Sequence, residues 1–241
     1  MREGGVMLAE LRRELVAIIK PGITTQSLEV YARQWMRDHN VQPSFLGYKN
    51  YPAALCVSLN EQAVHAVPSS RIIMEGDLVK IDLGIIYQGL HTDTAATVLA
   101  TTHENPGAQY PEKMKLISAS ERALEAGITA ARAGNTVGDI SRAIEAVISE
   151  NGFYVLKELG GHGVGEKIHE SPWIPNYYDS EYNEELFPGM TLALEPIPAV
   201  GTTRIEDGND GFAYVTSDGS LSSHCEHTIL ITANEPEILT E

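Results

Sequence analysis

Four acidic residues stand inside stretches that otherwise read as buried β-strand. Asp82 interrupts the apolar run "LVKIDLGIIY" (78–87), and Glu195 is the single charge in "TLALEPIPAV" (191–200). Asp93 opens "DTAATVLAT" (93–101) and Glu226 stands near the start of "CEHTILIT" (225–232). A carboxylate in apolar surroundings is costly unless it is paired or holds a metal. Taken singly, three have a plain explanation: a polar partner or turn cap for Asp82, a solvated strand end for Asp93 and Glu226; Glu195 is odder. Taken together they need a shared counter-charge. Lys80 is the one basic residue in these strands, and a single ammonium cannot neutralise four acids. Two divalent cations can, with two carboxylates bridging them, which is a common arrangement for hydrolysis.

An oxygen-rich cluster of this kind is completed by one imidazole. His162 offers it from "KELGGHGVGEKIHESP" (157–172). Glycines on both sides of His162 let the backbone approach closely and take up positive φ. The same glycines do not make a phosphate loop. From Gly161 the sixth position is Glu166 and from Gly163 it is Ile168, while the Gly160–Gly165 spacing is followed by Glu166 where a lysine is required. His65 in "EQAVHAVP" and His169, seven residues past His162, read in isolation as structural histidines. Beside a hydrolytic metal pair they fit a different need, that of stabilising charge on a substrate carbonyl and holding the amide.

These residues must be placed by the rest of the chain. Helical spacing covers 6–19 and is stopped by Pro21-Gly22, and Thr24 and Thr25 can cap a second helix to about His39. Strand patterns follow at 54–60, 78–87 and 93–101, with a loop through "VHAVPSS" and a tight "QGLH" connection that makes the last two a hairpin. Helices are expected at 111–132 and 137–150, then strands at 191–200, 211–218 and 225–232. Helices-then-strands thus occurs twice. "PGITTQSLE" (21–29) matches "AGNTVGDIS" (133–141), "EGDLVKID" (75–82) matches "PGMTLALE" (188–195), and "HTDTAAT" (91–97) matches "HCEHT" (224–228). The matches set Asp82 against Glu195 and Asp93 against Glu226. Two like halves facing each other would bring all four carboxylates together.

Bulk properties bound the rest. The chain has 241 residues, suited to one large domain, and no linker or low-complexity segment divides it. A net charge of −16 argues against binding nucleic acid through its phosphates. Two cysteines, Cys56 and Cys225, are too few for a disulfide framework and read as reduced thiols. No apolar run approaches the ~20 residues needed to span a membrane. The charged, amphipathic N-terminus is unlike a signal peptide. A cytoplasmic location is expected by elimination.

At this point "NEQAVHAVPSSRIIMEGDLVKIDLGIIYQGLHTDTAATVL", "GGHGVGEKIHESP", "GMTLALEP" and "DGSLSSHCEHTILIT" resemble the methionine aminopeptidases of the pita-bread metallopeptidase family, over nearly the whole chain. The lack of a long insertion between Glu195 and Glu226, and of a zinc-binding N-terminal extension, resembles type I. The resemblance implies an α+β pita-bread fold: two pseudo-symmetric halves of antiparallel sheet covered by helices, a single peptidase domain over 1–241 with repeats of about 1–110 and 111–241. It implies that Asp82, Asp93, His162, Glu195 and Glu226 are metal ligands, with Asp93 and Glu226 bridging two ions. Asp82 would complete one ion's shell, and His162 and Glu195 the other's. Two divalent ions, Mn, Fe or Co, are the implied cofactors. His65 and His169 would contact substrate, with His169 donating to the carbonyl oxygen and Glu195 carrying a proton to the leaving amine. The implied activity is hydrolytic removal of the N-terminal methionine from nascent proteins and peptides, preferably before a small second residue, by a monomer in transient contact with the ribosome.

The pocket departs from the family pattern. Phe45, Tyr48, Tyr51, Cys56, Ile168 and Phe212 match its substrate-binding region. Phe45 stands where relatives often have a small cysteine, Ile168 replaces an aromatic residue, and Phe212 replaces a tryptophan. These changes read as repacking of an apolar pocket or as shifted specificity. Two other readings of the chain are an Xaa-Pro peptidase of the same fold, faintly suggested by "RIEDG" (204–208), and an inactive peptidase-like binding module. The "HCEHT" ending argues against the first and the complete ligand set against the second.

Overall fold

Leucines at positions 8, 11 and 15 recur at helical spacing, and they bury one side of α1 (Arg2–Ile18). Helix α2 (Thr25–Asp38) starts where Thr24 accepts the Ser27 N–H at 3.2 Å, an N-cap of the expected kind. The computed structural model describes residues 1–241. The remaining elements are β1 (Gln42–Pro43), β2 (Leu55–Leu59), β3 (Gln62–Val64), β4 (Leu78–Tyr87), β5 (Leu90–Leu99), α3 (Pro106–Gln109), α4 (Pro111–Ala130), α5 (Val137–Glu150), β6 (Tyr154–Val155), β7 (Gly160–Gly163) and β8 (Glu170–Pro175). The chain ends with β9 (Thr191–Leu194), β10 (Pro198–Ala199), β11 (Ile205–Asp207), β12 (Tyr214–Thr216), β13 (Glu226–Leu230) and β14 (Glu237–Ile238).

Nine strands form one antiparallel sheet in the order β1-β4-β5-β13-β9-β7-β8, with β2 paired to β4 and β14 to β13. Both halves put two helices on the same face of it. Leu8, Leu11, Leu15 and Leu28 pack on Val57, Ile81, Leu83 and Ile85, while Leu124, Ile140, Ile144 and Ile148 pack on Ile174, Leu192, Leu194 and Ile229. The halves meet where β5 and β13 pair, through Ala95 opposite Glu226 and Thr94 opposite His227. The two helix starts correspond as expected. Thr24 caps α2, and the Thr136 N–H at the head of α5 donates to the Asp139 carboxylate at 2.9 Å.

Several expectations need correction. The second strand of the hairpin begins at Leu90, so Asp93 lies well inside a ten-residue strand and not at its solvated start. The run 191–200 is broken after Leu194, because Pro196 and Pro198 withhold the N–H groups a ladder needs, which leaves Glu195 just beyond β9. The loop through "VHAVPSS" is preceded by the short strand β3, which pairs with β12.

The glycines around His162 are also explained differently. None of Gly160, Gly161 and Gly163 has positive φ, and all three lie in the extended strand β7. Close approach alone accounts for them. A Cβ on Gly160 would lie 2.6 Å from the Ile174 carbonyl oxygen, and one on Gly161 or Gly163 would overlap the carbonyl oxygen of Ala193 or Ser171. Gly161→Ala is therefore expected to cost about 2–3 kcal/mol through overpacking against backbone. Urea unfolding should show a lower midpoint with an unchanged slope.

Candidate metal centre

Residues opposite one another on neighbouring strands point to the same face. The register sets Cys56, Asp82, Ala95 and Glu226 in one row across β2, β4, β5 and β13. A second row runs His162, Ala193 and Thr228 across β7, β9 and β13. Asp93 stands two residues from Ala95, and Glu195 two residues from Ala193, so both share this face. It is the face away from the helices. Ala95 and Ala193, the small members of the two rows, leave space between the charged ones.

The five predicted ligands converge in that space. Candidate ligand atoms of Asp93, His162 and Glu226 all lie within 4.8 Å of one another. His162 Nε2 is 3.7 Å from Oε1 of Glu195, and Asp82 lines the same cavity. His162 Nδ1 is 2.9 Å from the Gly163 carbonyl oxygen. Donation of Nδ1–H to that carbonyl fixes the tautomer and frees Nε2 as a ligand. The Asp93 backbone is clasped by Thr228, whose Oγ1 accepts the Asp93 N–H at 2.9 Å and donates to its carbonyl at 2.8 Å. Asn176 Nδ2 donates to the Glu195 carbonyl at 2.9 Å and holds the chain where the strand breaks.

The cluster opens into a cavity of about 150 Å³ walled by Phe45, Tyr48, Tyr51, Cys56 and Phe212, together with Lys49, His65 and His169. Tyr51 turns its hydroxyl away, donating to the carbonyls of Leu55 and Ala66, and meets Phe212 edge to face at 5.4 Å. Ile168 is packed in the same apolar cluster but does not line the cavity. His65 takes a left-handed backbone, φ 62°, a strained conformation for a residue with a side chain and one that recurs at functional sites. Burial pushes its imidazole down to about 4, so the ring is neutral at neutral pH. His169 is stacked on Tyr48 at 5.1 Å and lies 4.3 Å from the His162 ring. Desolvation, with His162 next in weight, keeps it below the ordinary imidazole range. Tyr48, Lys49, His162 and His169 also line a wider cleft of about 710 Å³ that leads outward. A separate hollow of about 600 Å³ between α1 and α4 contains none of the predicted site residues.

The model of metallopeptidase family M24 matches residues 1–233. The chain belongs to the M24 metallopeptidases. This M24 chain is 40% identical to a methionine aminopeptidase of Aquifex aeolicus over 100% of itself and 95% of that protein, and 39% identical to one of Clostridium perfringens over 100% and 94%. The crystal structure of a Thermotoga maritima methionine aminopeptidase superposes with a TM-score of 0.92 at 38% identity, covering 100% of this chain and 95% of that one. The fold is therefore the pita-bread fold expected above. A Pyrococcus furiosus prolidase, 22% identical with a TM-score of 0.76, shares the fold alone.

Divalent metal suits the residues this M24 chain presents. Asp82, Asp93 and Glu226 are buried, Glu195 nearly so, and Oε1 of Glu226 has no hydrogen-bond partner. None of the ion pairs to arginine involves them. Lys80, on the same face of β4, donates instead to the Asn60 carbonyl at 2.7 Å and to the Ser222 carbonyl at 3.1 Å. Desolvation pushes Asp82 and Glu195 up to about 7, and Asp93 and Glu226 well above the ordinary carboxylate range.

A pH dependence follows. Without metal, these groups hold protons in the folded state that the unfolded chain has already lost above about pH 4. The contribution of these four carboxylates to metal-free stability should therefore fall as pH rises between about 4 and 7, against the opposite trend from His65, His169, His224 and His227, which burial keeps neutral. Divalent ions replace those protons. Adding Mn²⁺ to EDTA-stripped protein is expected to raise the melting temperature more at about pH 7.5 than at about pH 5.5. Equal gains at both would contradict the metal assignment.

Two neighbours of the cluster escaped the sequence reading. Lys49 lines the junction of cavity and cleft with a left-handed backbone, φ 46°. His224 is fully buried behind Glu195 and Glu226. The signal for His224 was available, since the repeat match set "HCE" against "HTD". Its counterpart His91 points elsewhere, with Nδ1 2.9 Å from the Ser44 hydroxyl.

Proposed function

We propose that this chain is a metal-dependent aminopeptidase that removes the N-terminal methionine from peptides and nascent proteins, preferring a small second residue. The observation that carries this reading is the cavity. It is well below the roughly 300 Å³ at which ligand-sized pockets begin, so it accepts one side chain. The predicted ligands lie at one end of it and the cleft opens beside His162 and His169. One residue fits inside, and the rest of the peptide leaves by the cleft. The names of the Aquifex, Clostridium and Thermotoga proteins, methionine aminopeptidases matched over nearly full length, support the same substrate.

Asp82, Asp93, His162, Glu195 and Glu226 would hold two divalent ions, Mn, Fe or Co. When bound, these ions supply a hydroxide near neutral pH and a Lewis acid for the amide carbonyl. The apolar walls from Phe45, Tyr51 and Phe212 orient the first side chain and exclude water from it. A neutral His169 donates an N–H to the carbonyl oxygen as negative charge develops there. His65 contacts the scissile amide, and the Glu195 carboxylate takes up the proton that the attacking water gives up and passes it to the leaving nitrogen. The reading also takes residues 1–241 as one peptidase domain acting as a cytoplasmic monomer, with transient access to the ribosome. No helix is long and apolar enough to cross a membrane.

A peptidase assay on Met-Ala and Met-Lys peptides with each candidate metal tests the function. Clear preference for Met-Ala supports it. Equal turnover of both, or hydrolysis confined to peptides with proline second, would overturn it.

A further inference from the structure

His224 is 1% exposed, and neither ring nitrogen makes a well-aligned hydrogen bond. A buried polar side chain in that condition needs an explanation. Thr97 of β5 fixes its backbone from both sides: Thr97 Oγ1 accepts the His224 N–H at 2.8 Å and donates to its carbonyl at 2.7 Å. The ring is thereby held against two predicted ligands at once. Nε2 lies 3.3 Å from Oε2 of Glu195 and 3.7 Å from Oε2 of Glu226. His224 does not line the cavity, so it meets both carboxylates from outside the space open to substrate.

The oxygens divide in a consistent way. Oε2 of each glutamate faces His224. Oε1 of Glu195 faces His162, and Oε1 of Glu226 is left without a partner. We propose that His224 is a positioning residue of the metal centre, its Nε2–H holding Oε2 of Glu195 and Glu226 so that both carboxylates present Oε1 to the ions. The proposal rests on the metal-dependent reading given above. Partners of this kind set the plane of a ligating carboxylate, and their loss costs about 10–100-fold in metal affinity or activity.

Glutamine and asparagine separate this role from simple filling of space. The amide nitrogen of His224→Gln reaches the place of Nε2, while that of His224→Asn reaches only the place of Nδ1. Isothermal titration of Mn²⁺ into EDTA-stripped full-length protein, with a thermal melt of each variant, reads the difference. We expect His224→Asn to bind Mn²⁺ about 10–100-fold more weakly than the parent and His224→Gln to stay within about threefold. The visible spectrum of the Co²⁺-loaded protein should change in His224→Asn and not in His224→Gln. Should His224→Asn fail to fold, His224→Leu, which fills the space without a donor, takes its place with the same expectation. Parent-like affinity in both variants, or equal losses in both, overturns the proposal. A parent that takes up no Mn²⁺ overturns the metal reading itself, which is a different and recognisable outcome.

Discussion

Asp93→Asn is expected to abolish peptidase turnover together with metal binding. The exchange keeps the shape of the side chain and removes its charge. Asp93 lies in mid-strand, its backbone clasped by Thr228 and one carboxylate oxygen accepting the Thr94 N–H at 3.0 Å. The fold around it should therefore survive the substitution. What changes is the charge at the centre of the cluster, beside the candidate ligand atoms of His162 and Glu226. Loss of a mere outer partner of a metal ligand costs about 10–100-fold, so loss of a ligand that would bridge two ions should cost on the order of 10³-fold or more in kcat/KM. Metal content by mass spectrometry and turnover of a Met-Ala peptide check the two parts separately. Full turnover in a metal-free Asp93→Asn protein would remove the basis of the mechanism.

His169→Ala is expected to lower kcat by about 10²–10³-fold while leaving metal content unchanged, the cost typical of losing a single donor to a developing oxyanion. His169 stands at the junction of cavity and cleft, where the scissile carbonyl must pass, and its ring is neutral at working pH, so it can donate without carrying charge. The Tyr48 ring stacked against it holds its plane. Because the interaction strengthens only as the oxygen becomes negative, kcat should fall far more than KM rises. A variant with normal kcat and weakened KM would instead make His169 a binding contact.

Much of this site was legible in the sequence because charge is conspicuous in apolar strands. Asp82 in "KIDLG" and Glu195 in "LALEP" stand out as charges in apolar runs, and the structure places both on the one sheet face that lacks helices. Other features were hidden for physical reasons. Glycines at 160, 161 and 163 suggest a turn as readily as a strand, and only the neighbouring carbonyls reveal that the requirement is for clearance. Strand β8 contains Pro172 and Pro175, which lower strand propensity, and it forms at the sheet edge where missing N–H groups are tolerated. His224, two residues before β13, was marked only by the weak repeat match of "HCE" with "HTD". Its significance comes from Thr97 on another strand.

The seam between β5 and β13 rests on two residue pairs, whereas the β4–β5 hairpin is zipped through ten. Asp82 and Asp93 stand on one bank of that narrow join, and His162, Glu195 and Glu226 on the other. Cations lodged there would act as rivets, fastening two separately cored halves of the sheet that backbone alone stitches thinly. Loading the centre would then tighten the join of one half to the other, and a chain with its halves misaligned would lack the place to put its ions.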